Sequence, residues 1–407
     1  MNNQSLSNPA PGLAMSSTTS ASSRPYRVAP RGIGRLVDPR TLTMVVVFVV
    51  LAIVFNVASG DIFLTPRNLS LLLRQASIVA LVAAGVSILM IMGEIDLSIG
   101  SSVYLCGVVA ATLQHSYGLG IVPTLLVTVG VGLAMGLWQG VWVVTVGVPS
   151  FIVTLAGLLA FRGIGYYATE AATIAPVSDA FSSLSEAFVP VSATLIVLIA
   201  CFAAVAVYVF RRHRIMEARR GESNRGMLAA KLAVLGATTG ALAWIFSGFR
   251  GLPVALIWVA VIGTVLWVLM TRTVFGRNAY LTGSNREASV LAGIPLARQL
   301  YLGFLLMGAL YGVAGSLVTA RLGASTPTTG MYMELDAIAG AVIGGTALKG
   351  GIGTIPGAIV GAVLLATIDN GMSILNISSF LQLVIKGMVL LFALAFDSFM
   401  TRRQGRG

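Results

Sequence analysis

Two pairs of carboxylates at one spacing are the residues of this chain best suited to chemistry. Glu94 and Asp96 stand in GEIDLSIG, and Glu334 and Asp336 stand in ELDAIAG 240 residues later, so an E-x-D-x-x-x-G pattern occurs twice. Each pair adjoins strongly apolar runs, and two readings compete. Acidic residues at a helix start are favoured by capping and by the helix dipole, which would make Asp96 and Asp336 N-caps of the helices they precede. Ionisable groups at membrane depth otherwise mark a pathway or a pair, and a neutral polyol would find hydrogen-bond acceptors in them. Asp369 and Asn370 add polar groups in Asp369-Asn370-Gly371, which reads as a turn. These six are the candidates for a translocation path. Lys386, in the last apolar run, must snorkel or pair.

Other chemistry is missing. No Ser/His/Asp, Cys/His or H-E-x-x-H arrangement occurs, so a membrane-embedded enzyme lacks its nucleophile and base. Cys106 and Cys201 lie in separate apolar windows and read as packing residues, while His115 and His213 fall in different loops. No metal set and no cofactor site is suggested. The stretch GGTALKGGIGT around Lys349 lacks the G-x-x-x-x-G-K-[ST] of a phosphate loop, and no Walker motif occurs elsewhere. Gly353, Gly357 and Gly361, with the pair Gly340 and Gly344, form small-xxx-small patterns that let helices approach closely. Trp138 and Trp142, with Gln139 between them, either pack as aromatics or border a pore.

The elements that position these residues must be membrane helices. Hydrophobic residues make up 57% of the 407-residue chain and charged ones only 10%, far from a soluble globular average. Apolar windows at 42–58, 76–92, 98–114, 121–146, 149–160, 189–210, 227–249, 253–270, 299–320, 337–348, 352–368 and 379–396 predict an all-α integral membrane protein. We expect about 10–12 transmembrane helices with an internal repeat. The segments 149–160 and 337–348 are short enough to be half-helices or re-entrant pieces. The net charge of +12 comes from arginine blocks beside apolar windows, so it reports topology and not nucleic acid. The segment 1–40 reads as a disordered cytoplasmic tail, 41–400 as the transmembrane domain and 401–407 as a second cytoplasmic tail. The 17-residue window 42–58 is longer than a usual signal h-region and reads as an uncleaved first span. Counting crossings places Phe161 to Pro190 and Arg321 to Asp336 outside, and 211–226 and 271–298 in the cytoplasm. Arg67 and Arg74, in an external loop by this count, oppose it mildly. The loop 211–226 reads as a solvated linker facing lipid headgroups.

The loop 271–298 holds a helix signal of its own. Ser284-Asn285-Arg286-Glu287 has the form of a capping box, with Ser284 and Glu287 satisfying backbone donors, and Gly293 and Pro295 supply the stop. A helix of two turns is marginal in water and needs a partner surface. It is either a docking helix, involving Ser284, Asn285, Glu287, Ala288 and Gly293, or an amphipathic helix lying on headgroups.

GEIDLSIGS, GSNREASVLAGI, SLVTARLGASTPTTG, ELDAIAGAVIGGTALKGGIGTIPGAIVGA and DNGMS together resemble the permease subunits of bacterial ABC sugar importers of the ribose and xylose type. The resemblance covers about residues 41–400 and looks strongest to the xylose-type branch, which shares the extra membrane pair and basic loop between Val189 and Phe249. It implies a homodimeric pore in the bacterial inner membrane, contacting lipid, with both termini cytoplasmic. The implied partners are cytoplasmic ABC ATPase subunits and a periplasmic sugar-binding protein, with no nucleic acid. Residues 285–293 would be the coupling helix seated in the ATPase, whose closure moves the membrane halves between outward and inward access. The family carries a double alanine where this chain has Ala288-Ser289, and serine is small enough for docking to survive. A xylose-like pentose is the favoured cargo. An ion-coupled secondary transporter working without an ATPase is the alternative, since discontinuous helices near a repeat suit it too.

Overall fold

The computed structural model describes residues 39–220 and 225–404, so the expected tail over 1–40 lies almost wholly outside the described residues, as do 221–224 and 405–407. The described chain is helical almost throughout. In order come α1 (Pro39–Ala58), α2 (Pro66–Ile91), α3 (Ile99–His115), α4 (Ile121–Gly140), a π-helical turn (Val141–Val146), α5 (Ser150–Thr169), α6 (Asp179–Glu186), β1 (Phe188–Val189), α7 (Val191–Arg220), α8 (Arg225–Ser247), β2 (Leu252–Pro253), α9 (Val254–Arg272), α10 (Val274–Ser284), α11 (Arg286–Leu291), α12 (Leu296–Leu322), α13 (Met333–Ile343), α14 (Ile355–Ile374) and α15 (Ser379–Gln404). Eight of these helices are long and apolar enough to cross a membrane, and apolar segments of α1 and α15 are shorter. The chain is an all-α integral membrane protein, as composition demanded. Among the described residues the one sheet is the antiparallel pair β1–β2, with Phe188 opposite Pro253 and Val189 opposite Leu252.

Local signals set the boundaries. Thr65 caps α2 by accepting from the Asn68 amide, Thr354 caps α14 through the Gly357 amide, and each helix has a proline in its first turn. Gly323 ends α12 at φ +66°. Several expected boundaries are corrected. The window 76–92 opens ten residues earlier, at Pro66, so Arg67 and Arg74 lie on a helix and not in a loop. Arg74 reaches Glu186 at 2.6 Å, which puts it on the same face as the acidic segment before β1. The supposed half-helix 149–160 is the full-length α5, because helix geometry continues through Arg162 to Thr169. The stretch 211–220, read as linker, continues α7. Asp369-Asn370-Gly371 is no turn, for it lies inside α14, where glycine is tolerated by close packing. Gly353 precedes α14 and is not on it.

The core lies where α2, α3, α4, α12, α13 and α14 meet, and α2 and α12 are its most buried long helices. Small residues let these helices close on one another. A methyl group at Gly132 of α4 would strike the Gly308 carbonyl of α12, and one at Gly136 would lie 3.1 Å from the Gly308 Cα. Likewise a methyl at Gly361 would meet the Gly340 carbonyl, and one at Gly340 would lie 2.9 Å from the Ala362 Cα, which fixes α13 against α14. Exposed Ile196, Val197, Ile199, Val207 and Val234 on α7 and α8 present an apolar surface suited to lipid.

Two faces can be told apart by their contacts. One, the α6 face, gathers the start of α2, the end of α3, α6, the β1–β2 pair and the end of α12. It is tied by the Ser178 hydroxyl donating to Gln114 at 2.6 Å and by a backbone bridge between Ile174 and Ser325. The other, the α11 face, gathers the end of α2, α10, α11, the start of α12 and the loop 344–354.

Candidate functional site

The chain reverses twice inside the bundle. After α2 reaches the α11 face, residues 92–98 turn back into the core before α3 runs towards the α6 face. After α12 reaches the α6 face, residues 323–332 dip back before α13 runs towards the α11 face. With 11 residues α13 is about 16 Å long at 1.5 Å per residue, half of a hydrocarbon core of about 30 Å. The expected half-helix 337–348 is therefore present, opening earlier, at Met333. The two reversals are opposite in direction and carry the repeated acidic pattern, as in an inverted repeat.

The heads of α3 and α13 meet. Gly100, in the first turn of α3, and Gly330, just before α13, approach so closely that a Cβ on either would strike the other's backbone carbonyl. The Glu334 carboxylate of α13 reaches the Gly100 backbone amide, so an acid from one half sits at the positive end of the helix in the other. Arg162 of α5 donates to the Thr329 carbonyl at 2.8 Å and stacks over the Tyr104 ring at 4.8 Å, holding the re-entrant loop. Tyr332, at φ +63°, occupies a conformation uncommon for a side chain of its size. With Met331 and Leu335 it leaves an exposed rim at the head of α13.

Asp96 is fully buried and has no ion partner among the described residues. It accepts from the Ser98 amide at 2.8 Å, from the Ser98 hydroxyl at 2.7 Å and from the Tyr311 hydroxyl of α12. Gln139 of α4 donates to the Ser98 hydroxyl at 2.5 Å, and its carbonyl oxygen lies 3.3 Å from the Tyr311 oxygen. The bond from Asp96 to the amide two residues on resembles a cap, but α3 begins at Ile99 with Ser98 in the cap position, so Asp96 is a clamp and not the N-cap.

Asp336 is not an N-cap either, because α13 begins at Met333 and Asp336 lies inside its first turn. It pairs with Lys386 of α15 at 3.1 Å, and the same ammonium reaches Asp369 of α14 at 2.8 Å. One cation thus joins three helices against two carboxylates, and Lys386 pairs instead of snorkelling. Asn370 exchanges hydrogen bonds with Asn68 of α2 at 2.9 and 3.1 Å.

On the α11 face, Glu94 is buried and bonded to Arg286 at 3.1 Å. The Gly351 amide donates to the Ile91 carbonyl at 2.8 Å, and the Tyr280 hydroxyl donates to the Gly353 carbonyl at 2.8 Å. Burial pushes the Tyr280 phenol up, which keeps it a neutral donor. The capping box is corrected here. Ser284 is still helical at the end of α10, and its hydroxyl donates to the Tyr280 carbonyl at 2.8 Å. Asn285 is the first extended residue, so it is the N-cap of α11, accepting from the Ala288 amide at 2.9 Å. Glu287 and Ala288 are exposed. Gly293, at φ +76°, ends the turn by donating to the Val290 carbonyl, as its type and place predicted.

Tyr311, Arg162 and Arg286 escaped the sequence reading. Tyr311 and Arg162 carried one usable signal, a polar group inside an apolar run. Arg286 was hidden in a capping motif. Gln139 was noted only as a neighbour of Trp138 and Trp142, whose rings pack edge to face at 6.2 Å, with Trp138 also packed on Phe161.

Known proteins are similar to this chain in sequence over most of its length. The xylose transport system permease protein XylH of Escherichia coli (strain K12) is 37% identical over 371 residues, which are 89% of this chain and 93% of that protein. The ribose import permease protein RbsC of Bacillus subtilis (strain 168) is 31% identical over 350 residues, 86% of this chain and 89% of its own. The D-allose transport system permease protein AlsC of Escherichia coli (strain K12) is 30% identical over 361 residues, 87% and 91% of the two chains. No solved structure matches the chain. A family model matches residues 68–394, from α2 into α15, and with it this chain belongs to the branched-chain amino acid transport system / permease component family.

Proposed function

We propose that this chain is the membrane permease subunit of an ATP-driven monosaccharide importer of the bacterial inner membrane, with a xylose-like pentose as cargo. The family description names amino acids, but the relatives that match end to end at 30% identity and above are permeases of xylose, ribose and allose systems. They lend no support to an ion-coupled carrier acting alone. ATP hydrolysis belongs to partner ATPase subunits in the cytoplasm, a periplasmic binding protein delivers the sugar, and two copies of the chain form the pore. Both termini lie in the cytoplasm, as do 211–226 and 271–298, within a transmembrane domain over 41–400.

The observation that carries this reading is α11. Six residues are too few to hold a helix alone, and its far end exposes Val290 at 57% and Leu291 at 89%. An exposed apolar tip on so short a helix calls for a protein groove. Ser284, Asn285, Glu287, Ala288 and Gly293 shape and present that tip, with 285–293 as the coupling segment. The path is assigned to the head of α13, with Glu334 and Asp336 beside its exposed rim. Glu94, Asp96, Asp369 and Asn370 brace its walls.

Reconstitution tests the proposal. D-xylose uptake in liposomes is expected only with ATPase, binding protein and ATP together, and uptake by this chain alone would overturn it. Glu287→Pro or Ala288→Arg should abolish coupled uptake while the protein stays inserted. Co-purification of either variant with ATPase at wild-type yield would show that docking lies elsewhere.

A further inference from the structure

Arg286 is the first residue of α11, and its side chain is 55% exposed, yet its guanidinium bends back to the Glu94 carboxylate at 3.1 Å. Glu94 is on the other side of the balance, with a side chain only 6% exposed. A buried carboxylate deprived of its cation is strongly disfavoured, so this contact persists where an open surface pair would come and go. The remaining hydrogen bonds of α11 are local. Asn285 caps Ala288, and the Ser289 hydroxyl returns to the Asn285 carbonyl at 2.8 Å. The ties of Tyr280 and Gly351 join α10 and α2 to the loop 344–354, not to α11.

Glu94 is the end of a strap. Its amide is fixed to the Leu89 carbonyl of α2 at 2.9 Å. Ile95 is bonded to α5 on both sides, its amide donating to Ser150 and its carbonyl accepting from Thr154, each at 3.2 Å. Asp96 then clamps the head of α3 to Tyr311 of α12, with Gln139 of α4 on the same Ser98 hydroxyl. Three consecutive residues therefore connect five helices, and the cation on Glu94 comes from the docking segment.

We propose that the Arg286–Glu94 pair is the strut that carries movement of α11 into the strap 94–98, making Arg286 and Glu94 positioning residues for transport. The strut rests on the reading of α11 as the ATPase-docking segment. A movement of α11 pulls or releases Glu94, and the head of α3 follows through Asp96 while α4 and α12 shift with it.

A double-mutant cycle on the complete complex tests this, with the permease, its ATPase and its binding protein reconstituted and D-xylose as the probe. The readouts are xylose moved per ATP hydrolysed and ATPase bound per inserted permease. Glu94→Gln and Arg286→Gln are each expected to lower the transport ratio about tenfold, and the double variant no further, because one link cannot be broken twice. Arg286→Lys, which keeps a cation within reach, should stay within about threefold of wild type. Losses that multiply in the double variant, or a wild-type ratio in either single variant, would overturn the strut. So would a loss of bound ATPase confined to Arg286→Gln, which would make Arg286 a docking residue. Because Arg286→Lys keeps a cation on the buried Glu94 carboxylate and both readouts count only inserted permease, the Gln and Lys comparison stands even if Glu94→Gln inserts poorly. Uptake by the wild-type chain without ATPase would overturn the function itself, a failure seen before any variant is made.

Discussion

Asp96 and Asp336 occupy equivalent places in the repeated pattern and are handled in opposite ways. Asp96 is held by neutral donors, two from Ser98 and one from Tyr311, whereas Asp336 shares the Lys386 ammonium with Asp369. Removing a donor and removing a cation should therefore have different effects. Tyr311→Phe leaves a buried acceptor short of one partner and is expected to cost about 1–3 kcal/mol, read as a lower thermal midpoint in detergent. Lys386→Met leaves two carboxylates facing each other. Breaking a buried pair costs about 3–5 kcal/mol, and the partial exposure of all three groups reduces the expectation to about 1–3 kcal/mol. Adding Asp369→Asn to Lys386→Met should recover part of that loss, and no recovery would show that the three residues do not act as one cluster.

Among elements, the half-helix α13 depends on glycines more than on its acids. Gly340 of α13 and its C-cap Gly344 face Gly357 and Gly361 of α14 with no room for a side chain. Gly361→Leu would overpack this seam by about 1–3 kcal/mol or more and should reduce the yield of folded protein. Gly387→Leu on α15, where nothing lies within 4 Å, should be silent in the same assay. Equal yields would mean that the α13–α14 contact is not what holds the half-helix. The four-residue spacing of these glycines was legible in the sequence, because small-xxx-small has one physical use in an apolar helix. The matching seam of Gly132 and Gly136 against Gly308 was equally visible but had no acids to draw attention to it. Boundaries were harder. Arg67 and Arg74 read as loop residues and Arg162 fell just past an apolar window, yet all three lie on helices that run on beyond the windows. Hydropathy along the chain does not reveal that Arg74 meets Glu186 or that Arg162 meets the Thr329 carbonyl.

For the whole molecule, the two faces defined by contacts should correspond to the two sides of the membrane. With the Cys201 thiol removed as background and Cys106 left buried, Tyr117→Cys and Glu170→Cys on the α6 face should react with an impermeant maleimide in intact cells. Arg298→Cys should react only after the membrane is opened. The reverse pattern would invert the proposed orientation. By itself the sequence determined the class, the helical content, the repeated acids and the stop at Gly293, because each follows from composition or from chemistry within a turn of chain. It also revealed the family by resemblance, through motifs spread from Glu94 to Ser373. Only the tertiary structure decided what the acids do. Asp96 meets Tyr311 across 215 residues and Glu94 meets Arg286 across 192. The reason is physical: a carboxylate's role is set by the donors and cations around it, and here those arrive from helices that no local pattern brings together.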